Sequence, residues 1–271
     1  MKRKLCQSIK ALAFLFTQPK YAILSLFHTS QFGEFNKGHT KSTYDHSNSE
    51  LNKYGVEFGA DKCGLYSDEG TYLMMHDYLR HYDYILSKFR ETKDAVIEFG
   101  CGGGGSIKMW KKYFPNAQIV GVDINKQAES MKEERIDIYV GDATHKKTRD
   151  DLAKRYKGVF LIVDDASHAW GDQRITFELF WPILTSGGFY IVEDLNSGSS
   201  GAYPEYPPQV LDSQPFVEYV RDRTKALWCA PDYDPRSDST FSGQMPKHIL
   251  DIEKTIDMAI MIPGAVALRK K

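Results

Sequence analysis

Three observations predict an α/β fold, a doubly wound and mostly parallel sheet, for this 271-residue chain. An apolar run from Ala95 to Phe99 breaks into Gly100, Cys101 and the glycines Gly102 to Gly105, and a helical pattern built on Ile107, Met109, Trp110 and Tyr113 follows. A second apolar run, Gln118 to Val122, closes on Asp123, so the unit reads strand, tight turn, crossover helix, parallel strand. Further on, strands and helices keep alternating, and the strand ends carry carboxylates.

The glycine turn is the first element with chemical meaning. Glycines remove side chains where a ligand must approach the backbone, and Asp123 stands where a carboxylate can accept both hydroxyls of a ribose. Glu98, Gly100, Gly102 and Gly104 form E-x-G-x-G-x-G, while Gly105 also completes G-x-G-x-x-G from Gly100, so spacing alone leaves two cofactor classes open. Glu98 separates them: a carboxylate beside the turn suits the cationic end of S-adenosylmethionine and repels a pyrophosphate. The unit resembles motif I of the class I methyltransferases, which implies a Rossmann-like sheet of seven strands. An NAD-dependent dehydrogenase and a non-catalytic nucleotide-binding or scaffold protein are the competing readings.

Composition is that of a soluble globular chain, with 42% apolar and 26% charged residues. A net charge of −1 gives no electrostatic footprint for nucleic acid. Cys6, Cys63, Cys101 and Cys229 lie far apart with no C-x-x-C pair, which predicts reduced thiols and a cytoplasmic protein. Cys101, inside the turn, is expected to shape the cofactor pocket and not to act as a nucleophile.

In chain order, residues 1–57 are expected to form a short helical extension followed by a linker or lid, with the catalytic domain spanning 58–271. The apolar clusters Leu12–Phe16 and Tyr21–Phe27 are too short to span a membrane. They read either as helices packing on the domain or a second subunit, or as a basic amphipathic segment at the inner face of a membrane. Residues 29–57 are polar and without a period, and His28, His39 and His46 lack metal-ligand spacing. Ser67 or Asp68 is expected to cap a helix with Tyr72, Leu73, Met75, Tyr78, Leu79, Tyr82 and Ile85 on one face.

Beyond the glycine unit, strands are expected at Ile136–Val140, Val159–Val163 and Phe189–Val192, with helices at 146–157 and 171–184. Residues 196–209 form a Gly/Ser/Pro-rich loop too long for a simple connector, and a helix is expected around Pro215–Trp228. His248–Lys254 and Ile256–Met261 are predicted to close the sheet as antiparallel strands, continued by Gly264–Leu268.

In such sheets ligands bind beyond the carboxyl ends of the strands. Asp164 and Asp165 end one strand, Glu193 and Asp194 the next, and carboxylates crowded into one cleft call for a divalent cation. Oxygen donors favour Mg²⁺ over zinc. His168, three residues past Asp165, is placed to act as general base on a substrate hydroxyl, whose developing alkoxide the cation stabilises.

The segments FGADKCG, VIEFGCGGGGSIKMWKKYFPNAQIVGVDI, LIVDDASHAWGDQRITFELFWPIL and GGFYIVEDL together resemble the metal-dependent sugar O-methyltransferases that act on glycosylated macrolides and related natural products. The resemblance spans roughly residues 58–270. It implies Asp165, Glu193 and Asp194 as Mg²⁺ ligands, His168 as base, and Glu98, Gly100, Gly102, Asp123 and Asp142 around S-adenosylmethionine. Ala166 stands where the family carries glycine, which requires a negative φ there, and Ala60 replaces the usual Thr. Family members carry a larger domain ahead of the corresponding region. The expected partner is a small molecule or glycan bearing a hydroxyl, with a catechol as the alternative acceptor; a homo-oligomer is left open.

Overall fold

The computed structural model describes residues 49–66, 72–74, 76–196, 215–224, 227 and 247–271. The apolar clusters before residue 28, the three histidines beyond them, the loop after Asn196 and residues 228–246 lie outside the described residues. Contacts divide the chain into two compact units, Met1–Asp83 and Tyr84–Lys271. No helix among the described residues is long and apolar enough to cross a membrane.

In the first unit, α1 (Glu50–Phe58) starts at Ser49, whose Oγ accepts the Asn52 amide at 3.1 Å, and stops at Gly59 with φ +68°. This corrects the expectation of irregular structure through residue 57: a capped helix of two and a half turns is too short to betray itself by periodicity. Asn52, buried, brackets Gly64 with both ends of its carboxamide, at 2.8 and 3.0 Å. The expected helix from Tyr72 is also corrected. Leu65–Tyr66 (β1) and Tyr72–Met74 (β2) pair antiparallel, and α2 (Leu79–Leu86) begins only after Asp77, whose φ of +60° no right-handed helix accommodates.

The second unit is built on a seven-stranded sheet. Its strands are β3 (Ala95–Phe99), β4 (Ile119–Asp123), β5 (Ile136–Val140), β6 (Val159–Asp164), β7 (Leu184–Val192), β8 (Ile256–Ile262) and β9 (Ala265–Lys270). They lie in the order β5-β4-β3-β6-β7-β9-β8, with β9 antiparallel to both neighbours and the other pairings parallel. The predicted doubly wound sheet with a C-terminal antiparallel hairpin is therefore present. Helices α3 (Gly105–Tyr113), α4 (Lys146–Arg155), α5 (Trp170–Phe180), α6 (Phe216–Arg223) and α7 (Lys247–Thr255) accompany it. Strands β3 and β6 are buried throughout, as central parallel strands covered on both faces must be.

Alternation divides the core into two layers. Ile97 and Phe99 of β3 join Val120, Ile162, Tyr190 and Val192 in one cluster with Phe177, Phe180 and Trp181 of the α5 region. Glu98 pairs in register with Gly121 and Val163 on the opposite face, where Ile107 of α3 approaches Gly121.

Two further expectations need correction. The helix predicted over 171–184 ends at Phe180, a single 3-10 turn covers Trp181–Ile183, and β7 starts at Leu184, so Gly187 and Gly188 lie inside the strand. The register between β6 and β7 slips there, and an added Cβ on Gly188 would meet the Phe160 carbonyl oxygen at 2.6 Å. Residues His248–Lys254, predicted as a strand, belong to α7, which buries Ile249, Ile252 and Glu253 at helical spacing. The alternation of Leu250 and Ile252 imitated a strand.

Candidate functional site

The site lies at the carboxyl ends of β3, β4, β5, β6 and β7. The turn after β3 is a set of left-handed residues: Gly100 at φ +83°, Gly102 at +45° and Gly104 at +78°. An added Cβ on Gly100 would fall 2.2 Å from the Asp165 carbonyl oxygen, so the turn and the end of β6 are in backbone contact. At Gly102 and Gly103 the same atom would meet nothing within 4 Å. That pair is bare backbone facing open space, the surface a nucleoside cofactor needs for close approach.

Asp123, at the end of β4, accepts the Cys101 amide on Oδ2 at 2.9 Å and the Asn125 amide on Oδ1 at 2.8 Å. Each oxygen keeps a further lone pair for a hydroxyl donor. Asp142, just past β5, accepts both the amide and the hydroxyl of Thr144 on Oδ1, at 2.8 and 2.7 Å. Partial burial pushes its carboxyl up, but the two Thr144 hydrogen bonds and nearby His145 outweigh it, and the group sits below its ordinary value. Directly after Asp123, Ile124 is 77% exposed, an apolar side chain that sequence reading passed over. Its signal was available: an isoleucine immediately after a strand-closing acid.

Glu98 lies at the end of β3, one residue before Phe99 and the glycine turn. It is fully buried on the α3 face beneath the turn. Its charge is felt by Cys101, whose thiol is pushed up to about 12 by burial first, then by Glu98 and Asp123. Cys101 is buried, and its Sγ packs against Gly121.

The doublet Asp164–Asp165 splits by strand alternation. Asp164, in register with Phe99 and Val192, faces the core and takes hydrogen bonds from the Thr176 and Tyr190 hydroxyls. Burial drives its carboxyl up to about 7 in spite of the Thr176 hydroxyl and the Ala166 amide. Asp165 emerges beyond the strand, and His168 and Asp194 come to meet it. His168 Nδ1 lies 3.9 Å from Asp165 Oδ1, and Nε2 lies 3.6 Å from Asp194 Oδ2. One donor atom from each of the three falls within 4.8 Å of the others. All three are half-buried.

Two of the three residues are strained. His168 and Asp194 adopt φ of +56° and +52°, the left-handed region that residues other than glycine rarely occupy. Ala166 is not among the positive-φ residues, so the alanine at the family's glycine position is accommodated and the left-handed turn falls on His168 instead. Such outliers at a cluster of chemical groups mark positions held against local preference. Two carboxylates and an imidazole, arranged in this way, fit a hard or borderline divalent cation. Glu193 lies outside that trio. It is 1% exposed, and its amide donates to the Asp164 carbonyl at 3.0 Å.

The same chain matches known methyltransferases. Residues 80–184 match the FtsJ-like methyltransferase family. The chain is 34% identical over 128 residues to the mycinamicin VI 2''-O-methyltransferase of Micromonospora griseorubida, a match covering 45% of this chain and 32% of that protein. It is 32% identical over 161 residues to the 8-demethyl-8-alpha-L-rhamnosyl tetracenomycin-C 2'-O-methyltransferase of Streptomyces olivaceus, covering 55% and 40%. The matched region thus spans about a third to two fifths of the length of these relatives. In fold, the chain resembles the MycE methyltransferase of the mycinamycin biosynthetic pathway, solved with Mg, SAH and mycinamycin VI, with a TM-score of 0.62 at 22% identity over 81% of this chain and 54% of that one. The sheet order and the structural match give the chain the class I methyltransferase fold, and its sequence matches the FtsJ-like methyltransferase model over residues 80–184 and is similar to macrolide-type sugar O-methyltransferases over about half of its length.

Proposed function

We propose that this protein is an S-adenosylmethionine- and Mg²⁺-dependent O-methyltransferase that methylates a sugar hydroxyl on a glycosylated metabolite or surface glycan. The observation that carries the reading is the Asp165, His168 and Asp194 trio, strained at two of its three positions and backed by the glycine turn through the Gly100 contact. The sugar O-methyltransferase names of the relatives supply the acceptor class.

In this reading the open backbone at Gly102 and Gly103 receives the cofactor, Asp123 takes the ribose hydroxyls, and Asp142 and Ile124 flank the base. Gly104 shapes the turn, and Glu98 supplies negative charge from below. Asp165 and Asp194 would hold the cation, with Glu193 as the third ligand that family resemblance implies. The cofactor supplies an electrophilic methyl on a sulfonium, and the cation lowers the cost of negative charge on the acceptor oxygen. His168 would accept the hydroxyl proton as the oxygen takes the methyl group, with the sulfonium leaving as the neutral thioether.

A second reading follows from the geometry: both imidazole nitrogens lie within reach of the carboxylates, so His168 itself fits as a ligand. That set would favour Mn²⁺ or Co²⁺ over Mg²⁺. His168→Ala separates the two. As base, its loss leaves SAH and Mn²⁺ affinity within about twofold while turnover of a glycosylated acceptor falls about a hundredfold or more. As ligand, its loss abolishes metal binding as well. Full turnover by His168→Ala would sink both.

A further inference from the structure

Gln173 lies in the first turn of α5 and is 2% exposed. Its backbone amide donates to the Ala169 carbonyl at 2.8 Å, one residue past His168. Its side-chain Nε2 donates to the Glu193 carbonyl at 3.0 Å, in the peptide group that leads into Asp194. One residue therefore grips both chain segments that carry the strained members of the trio.

A peptide group is rigid, so fixing the Glu193 carbonyl fixes the plane about which the φ of Asp194 is set. Asp194 sits at +52°, where an acidic residue is held against its ordinary conformation. Without a donor on that carbonyl, the peptide is free to turn and Asp194 to relax, which carries its carboxylate away from His168 and Asp165. The remaining amide oxygen, Gln173 Oε1, is buried with no partner among the described residues. A buried unsatisfied acceptor is costly, so retaining the amide here has a purpose that an apolar side chain would not serve.

We infer that Gln173 is a positioning residue for the cation site: it holds the 193–194 peptide in the orientation that places the Asp194 carboxylate in the trio. This rests on the metal reading proposed above. Gln173→Met keeps the length and apolar packing of the side chain without a donor. Gln173→Leu removes the donor with a branched apolar side chain of similar bulk, a second test should the first variant fail to fold. Mn²⁺, observed by electron paramagnetic resonance, is the probe, with calorimetry of SAH and the thermal midpoint measured on the same samples.

The inference expects Mn²⁺ affinity to fall at least tenfold in whichever variant folds, with SAH affinity within twofold of the parent. Mn²⁺ affinity within threefold of the parent overturns it. So does a parallel fall in Mn²⁺ and SAH affinity, or failure of both variants to fold, since each marks a merely structural role. A parent protein that binds no divalent cation overturns the metal reading itself. That result is distinguishable because it appears before any substitution is made.

Discussion

Among the described residues only four other than glycine have positive φ, and His168 and Asp194 are two of them. Strain of this kind costs about 1–3 kcal/mol per residue and persists only where surrounding contacts over-determine it. The glycines beside them divide by the same logic. Gly100→Ala forces a Cβ into the Asp165 carbonyl and keeps φ at +83°, so it should cost roughly 3 kcal/mol or more and yield little folded protein. Gly102→Ala has room, at φ +45°, and should cost about 1 kcal/mol while weakening SAH binding. Chemical denaturation of the two variants together with SAH calorimetry reads the difference. Sequence spacing made Gly100, Gly102 and Gly104 equivalent members of one motif; what lies beside each in space distinguishes them, the Asp165 backbone at Gly100, open space at Gly102 and the Met131 side chain at Gly104. The doublet at Asp164 and Asp165 was legible as acidic, but which of the two faces the core follows from the register with Phe99 and Val192.

At the scale of elements, the open edge of the sheet at β5 is tied to its neighbours through Asp137. The carboxylate accepts the Tyr156 hydroxyl at 2.6 Å and its own strand's Ile138 amide at 2.9 Å, with Lys132 at 3.1 Å. Partial burial raises its pKa, and hydrogen bonds from Tyr156 and Lys132 with the Lys132 charge and the Ile138 amide lower it by more, so the group sits below its ordinary value. The sign follows: a carboxyl depressed in the folded state stabilises above its unfolded pKa, near 4, and the contribution is lost as pH falls through the folded value. Asp137→Asn should therefore cost about 1–2 kcal/mol at pH 7 and lose less further stability than the parent between about pH 4 and 2. Equal slopes in acid titrations of stability would reject that assignment.

Strands with a clean apolar pattern were read from sequence nearly to the residue, the central strand Ala95–Phe99 from its unbroken apolar run and the edge strand Ile136–Val140 from its alternation. The misread ones were short or amphipathic. Helix α1 is fixed by Ser49 and Gly59 rather than by a period, and α7 is settled by which of its isoleucines meet the core. The extent of β7 depended on a register slip against β6 that no single strand reveals.

Across the second unit, the parallel strands deliver every candidate group to one end of the sheet, and the antiparallel pair β9 and β8 covers what would otherwise be an open edge on β7. The contact of Gly100 with the Asp165 carbonyl then acquires a thermodynamic meaning. Two ligands that meet the opposite sides of one backbone contact belong to a closed square of equilibria. Whatever factor the cation imposes on SAH affinity, SAH must impose on the cation. Titrating SAH with and without Mg²⁺, then Mg²⁺ with and without SAH, should return the same ratio by both routes, and that ratio should differ from one. A ratio of one would mean that the contact transmits nothing, and that the turn and the acidic strand ends act as independent sites sharing only a scaffold.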